Sequence, residues 1–123
     1  MKEKALHFYA QGYNCSQCIL KAAETVYSIP VSRQSMSICS GISTGFGVNG
    51  MCSVLIAGVM ALGLLFDEGT VKRLRVKLLT RFHERFRSMD CGALKAQRQS
   101  GMHCEAIVGE VASLLETIIA EER

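Results

Sequence analysis

The sequence predicts an all-α fold, a single-domain bundle of five or six helices around a central apolar helix. Three observations predict it. Apolar residues recur at helical spacing along most of the chain, and the alternation of a half-buried strand is nearly absent. Capping residues and glycines separate the periodic stretches. The composition, 49% hydrophobic and 20% charged over 123 residues with one proline, suits one packed domain over 1–123 rather than a disordered chain.

The elements follow in order. Glu3 to Gln11 places Ala5, Leu6 and Tyr9 on one side of a short first helix, which Gly12 breaks. Asn14 is a good N-cap for a second helix from Cys15 to Tyr27, with Cys18, Ile19, Ala22, Ala23 and Val26 facing inward. Pro30 ends that element. A third helix is predicted from Ser32 to Thr44, with Met36, Cys39 and Ile42 aligned. Gly45 to Gly50 is a glycine-rich loop, and Met51 to Phe66 follows as an apolar helix. Asp67-Glu68-Gly69-Thr70 is a break with capping residues. From Val71 to Met89 the residues Leu74, Leu78, Phe82, Phe86 and Met89 form the inner stripe of a helix with a cationic outer face. Asp90 caps a short helix that starts at Cys91. A loop, Gln99-Ser100-Gly101, precedes a last helix from about His103 to Glu121, where Ile107, Val111, Leu114 and Ile118 form a stripe widened by Val108, Leu115 and Ile119.

Charge and hydropathy exclude several function classes. A net charge of +3 falls short of the basic footprint of a nucleic-acid binder. Half of the basic residues sit on one predicted helix, from Lys72 to Arg87, and read as a solvated face that the glutamates of the last helix complement. From Gln34 to Phe66 no residue is charged, yet the serines and glycines of the first half are wrong for a membrane span, so a membrane role is not expected. The amino-terminal residues open straight into an amphipathic pattern without a secretory signal, so a cytoplasmic location is expected.

The cysteines carry the chemistry. There are six: Cys15, Cys18, Cys39, Cys52, Cys91 and Cys104. In a reducing compartment such residues are more often metal ligands or redox groups than staples. Cys15, Cys52, Cys91 and Cys104 fall at predicted helix starts, where unpaired N–H groups and the dipole favour a thiolate. Four such starts meeting at one point would suit an anionic cofactor. Cys15 and Cys18 form a C-x-x-C pair, the spacing of a reversible disulfide or of half a metal site, with no second pair to complete a zinc finger. Cys18 and Cys39 read equally as small core residues. Gly45-Phe46-Gly47-Val48-Asn49-Gly50 matches G-x-G-x-x-G, but no βαβ pattern surrounds it, so the glycines read as a tight turn near the thiols rather than a nucleotide site. His103, beside Cys104, is a candidate substitute ligand or proton carrier.

Taken together, these segments resemble the C-GCAxxG-C-C family, whose redox label rests mostly on its cysteines. Gly12 to Gln17 is similar to the family's first-cysteine segment, Gly50 to Ile56 to its Gly-Cys-Ala-x-x-Gly segment, Phe82 to Cys91 to the third and Cys104 to Val108 to the fourth. The resemblance makes Cys15, Cys52, Cys91 and Cys104 the family cysteines and Cys18 and Cys39 extras. Met51, Ser53 and Ile56 depart from the motif's glycine, alanine and second glycine, which makes the site bulkier. A related domain accompanies an iron–sulfur centre in some multihaem electron-transfer proteins, which makes a cluster the implied cofactor.

The expected function is therefore that of a redox-active protein, an oxidoreductase or electron carrier. Cys15, Cys52, Cys91 and Cys104 would hold an iron–sulfur cluster. Alternatively they would form reversible disulfides, with Cys15 as nucleophile and Cys18 as resolving thiol. A third reading makes them a closed zinc site in a structural or protein-interaction module. The broad stripe of the last helix suggests a homodimer, and electron transfer would call for a redox partner protein.

Overall fold

Capping chemistry sets most of the helix boundaries in the computed structural model, which describes residues 1–96 and 103–123. The helices are α1 (Lys2–Ala10), α2 (Cys15–Tyr27), α3 (Arg33–Ile38), α4 (Ser53–Leu65), α5 (Glu68–Phe86), α6 (Cys91–Ala96) and α7 (His103–Glu122). Short α3 and α6 both form as separate elements, so the described residues hold seven α-helices rather than five or six. The predicted Gln99-Ser100-Gly101 loop and the side chain of His103 lie outside the described residues.

The Asn14 side chain accepts from the Gln17 N–H while Gln17 reaches back to the Asn14 N–H, a complete capping box for α2. Asp67 accepts from the Thr70 N–H and starts α5. Left-handed Ser28 and Arg87 end α2 and α5. The third helix is shorter than predicted. It stops at Ile38 and tightens into a 3₁₀ turn over Cys39–Gly41. Its serines compete with the helix: Ser40 Oγ donates to the Ser37 carbonyl and Ser43 Oγ to the Ser40 carbonyl.

The core is the meeting of the predicted stripes. Leu74, Leu78 and Phe82 on α5 are fully buried and Phe86 nearly so, and each such side chain contributes about 1.5–3 kcal/mol of gross hydrophobic stabilisation. Phe82 and Phe86 also stack at a tilt, ring centres 4.7 Å apart. On α7, Ile107, Val108, Val111, Leu115, Ile118 and Ile119 are buried, and α7 packs against α1, α2, α4 and α5. The width of this stripe, which prompted the expectation of self-association, is used inside the chain. The apolar α4 packs against α2, α5 and α7, while Gly63 and Leu64 at its far end stay exposed. Val26, expected inward on α2, is 38% exposed, one residue before the helix ends.

The basic face of α5 is answered within the chain. Arg73 pairs with Glu122 at 2.8 Å, Lys77 and Arg81 with Glu121 at 2.9 Å, and Arg85 with Glu110 at 3.2 Å. Among the described residues no helix is long and apolar enough to cross a membrane.

Candidate functional site

Four elements each carry one cysteine to the same end of the fold. Cys15 is the first residue of α2, behind its capping box. Cys52 sits in extended backbone immediately before α4. Cys91 opens α6, and Cys104 lies in the first turn of α7. Cys52 and Cys91 are tied by backbone rather than by side chains. The Cys52 N–H donates to the Met89 carbonyl at 2.7 Å and the Cys91 N–H to the Gly50 carbonyl. These bonds flank an antiparallel bridge between Met51 and Asp90.

All four cysteines line one cavity of about 710 Å³, together with Tyr9, Tyr13, Asn14, Ser43, Thr44, Ser53, Val54, Leu94 and Ile107. Cys52 is buried, and Cys15, Cys91 and Cys104 are half-buried. Residues separated by most of the chain thus share one chamber. The starts of α2, α4, α6 and α7 meet there, as the sequence suggested. Among the described residues, no group of three or more His, Cys, Asp or Glu side chains is placed to hold a single metal ion.

The electrostatics depart from the helix-start expectation. A hydrogen bond with the Cys104 thiol, then burial, then the neighbouring Cys104, Cys18 and Cys52 push the Cys15 thiol well above its ordinary value. Burial also raises Cys52, against the opposing pull of the Leu55 and Val54 N–H groups. Both thiols are thus favoured in the neutral form: burial and clustering outweigh the dipole. Burial, followed by Cys15 and Cys104, raises the Tyr9 phenol as well.

The two remaining cysteines lie off the cavity lining. Cys18 is fully buried and directs its thiol to the Tyr13 carbonyl at 3.6 Å. Cys39 is fully buried and directs its thiol to the Ser35 carbonyl at 3.4 Å. The thiol hydrogen-bonded to Cys15 is that of Cys104. Ser53, which departs from the family motif, lines the cavity, whereas Met51 is 37% exposed and stands outside the lining. Tyr9, Tyr13, Ser43 and Thr44 were not singled out in the sequence. Tyr13 falls in the first-cysteine segment, two residues before Cys15, whereas only packing of α1 and of the segment before Gly45 brings Tyr9, Ser43 and Thr44 to the thiols. The G-x-G-x-x-G segment is an irregular turn after helix, with no strand before it among the described residues.

A family model described as "Putative redox-active protein (C_GCAxxG_C_C)" matches residues 13–118. The chain belongs to this family. The match covers α2 through most of α7, and so spans every element that lines the cavity except α1. Comparison with curated proteins and with solved structures gives no match. The cavity is where this member of the C_GCAxxG_C_C family gathers four of its six thiols.

Proposed function

We propose that this protein is a redox protein whose Cys15, Cys52, Cys91 and Cys104 hold an iron–sulfur cluster. The observation that carries the reading is the single cavity lined by these four thiols from four separate elements. Four cysteines are the donor set of both common cluster types. In a cubane each iron takes its own thiolate, so the sulfurs stand further apart than around one zinc. Thiols held neutral when metal-free are deprotonated by a coordinating metal. The helix starts around the cavity then offset part of the negative charge. When bound, the cluster would supply one-electron transfer. The protein's own part is to fix four thiols, to limit water with Leu94 and Ile107, and to offer the Tyr9 and Thr44 hydroxyls nearby.

One observation favours a second chemistry. The thiols of Cys15 and Cys104 are hydrogen-bonded to each other, which makes them the pair to join as a disulfide. Oxidation there would release two protons and pass two electrons to an oxidant such as a low-molecular-weight disulfide, which is reduced to its thiols.

Anaerobic isolation, a visible spectrum, and iron, sulfide and zinc analysis separate these readings. A brown protein with iron and acid-labile sulfide is the expected result. A colourless, metal-free protein that loses two titratable thiols on oxidation, with Cys15 linked to Cys104, would replace the cluster by the dithiol. A colourless protein with one zinc would overturn both.

A further inference from the structure

The glycine-rich segment before α4 lacks the βαβ setting of a nucleotide site, yet its backbone is unusual. Thr44, Phe46 and Asn49, none of them glycine, are left-handed at φ 56°, 63° and 58°, along with Gly45 at 56° and Gly47 at 79°. Such residues cost energy and persist only when surroundings enforce them. The turn closes on itself: the Gly50 N–H donates to the Gly45 carbonyl at 2.9 Å. Gly45 is buried, and a Cβ there would meet the N, C and O of Gly50 at 2.8 Å or less. Gly50 then passes the constraint on, because its carbonyl accepts the Cys91 N–H. Asn49 lies against Gly92, where an added Cβ would stand 3.1 Å from the Asn49 Cβ. Thr44, at the other end of the turn, lines the cysteine cavity.

We infer that Gly45 and Gly50 form a backbone clamp that positions Cys91 against Cys52, making Gly45 a positioning residue of the four-cysteine site. The clamp deepens the four-cysteine reading, on which its functional meaning rests. Its physical logic is direct. Close contact of two glycine backbones fixes the Gly50 carbonyl, the carbonyl fixes the Cys91 amide, and the adjoining hydrogen bond from Cys52 to Met89 fixes the other cysteine. A side chain at Gly45 has no flexible neighbour to push aside, since the atoms it meets are backbone. Gly47 shares the left-handed conformation, but a Cβ there would meet nothing within 4 Å. It therefore reports the backbone cost of the turn without touching the clamp.

The test uses the full chain, reduced and metal-free, treated with a short bifunctional thiol cross-linker and mapped by peptide mass. Wild type and Gly47→Ala are expected to give both Cys52–Cys91 and Cys15–Cys104 links. Gly45→Ala is expected to lose the Cys52–Cys91 link while keeping Cys15–Cys104, which shows that the bundle remains folded. Gly50→Ala, whose Cβ would press on the Gly45 carbonyl at 3.2 Å, is expected to give an intermediate yield. Wild-type yields of Cys52–Cys91 in Gly45→Ala would overturn the clamp. So would loss of both links together in Gly45→Ala and Gly50→Ala, because the turn would then support the whole fold and not one pair. The cross-link is read without metal, so a colourless wild type would remove the cluster reading and leave this result standing.

Discussion

Replacing Asn14 by alanine tests how the start of α2 holds its share of the site. The Asn14 Oδ1 accepts two hydrogen bonds, from the Gln17 N–H at 2.9 Å and from the Ser16 hydroxyl at 2.9 Å. Loss of an N-cap of this type costs about 1 kcal/mol. Ser16 is fully buried, so depriving its hydroxyl of a partner costs about 1 kcal/mol more. Asn14→Ala is therefore expected to lower stability by about 2 kcal/mol. Asn14→Asp keeps an acceptor at the same place and adds charge at the helix start, so it should recover most of the loss. Urea unfolding measures this, with a shifted midpoint at unchanged slope as the expected pattern. A loss below about 0.5 kcal/mol, the range of an ordinary surface change, would refute the reasoning. So would an aspartate variant as unstable as the alanine one.

Further predictions follow from packing and charge. Gly58 sits where α4 meets α5 and α7, and a Cβ added there would stand 2.9 Å from Leu78 Cδ2 and 3.3 Å from Val111 Cγ1. Gly58→Val should cost about 1–3 kcal/mol by overpacking, whereas Gly63→Val, with nothing within 4 Å, should stay within about 0.5 kcal/mol in the same thermal or urea assay. The bonds from Arg81 and Lys77 lower the Glu121 carboxyl, and the bond from Arg73 lowers Glu122, both from 4.5. Their stabilisation is present above that value and is lost as pH falls through the lower folded values. All three pairs lie at the surface, so the effect should be small, weakened by salt and removed in a Glu121→Gln, Glu122→Gln variant, as melting temperatures against pH would show. An acid limb identical in the variant would contradict this role of the ion pairs. Burial pushes the Cys18 thiol up to about 11. It should resist alkylation near neutral pH in the native protein and react once unfolded. Rapid native labelling of Cys18 by mass mapping would place it outside the core.

Much of the fold was legible because its signals are local. The spacing of Leu74, Leu78, Phe82 and Phe86 is a helical period, and Asn14 and Asp67 are caps wherever they stand. The four cysteines could be sorted from the other two because helix starts and motif segments are also local. Their pairing could not be read. The Cys15–Cys104 contact joins α2 to α7, and the Cys52–Cys91 tie depends on a backbone bridge between segments far apart in sequence. The raised Cys15 and Cys52 thiols were not legible for the same reason: a dipole belongs to one helix, while burial and mutual repulsion belong to the assembled cavity. The glycines announced a tight turn between Gly45 and Gly50, but the left-handed Thr44 and Phe46 left no signal, since threonine and phenylalanine rarely adopt that backbone. The early end of α3 was visible in principle, in serines spaced to bond back to their own helix.

The central claim is that Cys15, Cys52, Cys91 and Cys104 act as one site and that Cys18 and Cys39 stand outside it. Iron and acid-labile sulfide, measured in anaerobically isolated wild type and in six single cysteine-to-serine variants, test it most directly. The account predicts that both are lost or sharply reduced in Cys15→Ser, Cys52→Ser, Cys91→Ser and Cys104→Ser and retained in Cys18→Ser and Cys39→Ser. Wild-type iron and sulfide in Cys52→Ser and Cys91→Ser would contradict it.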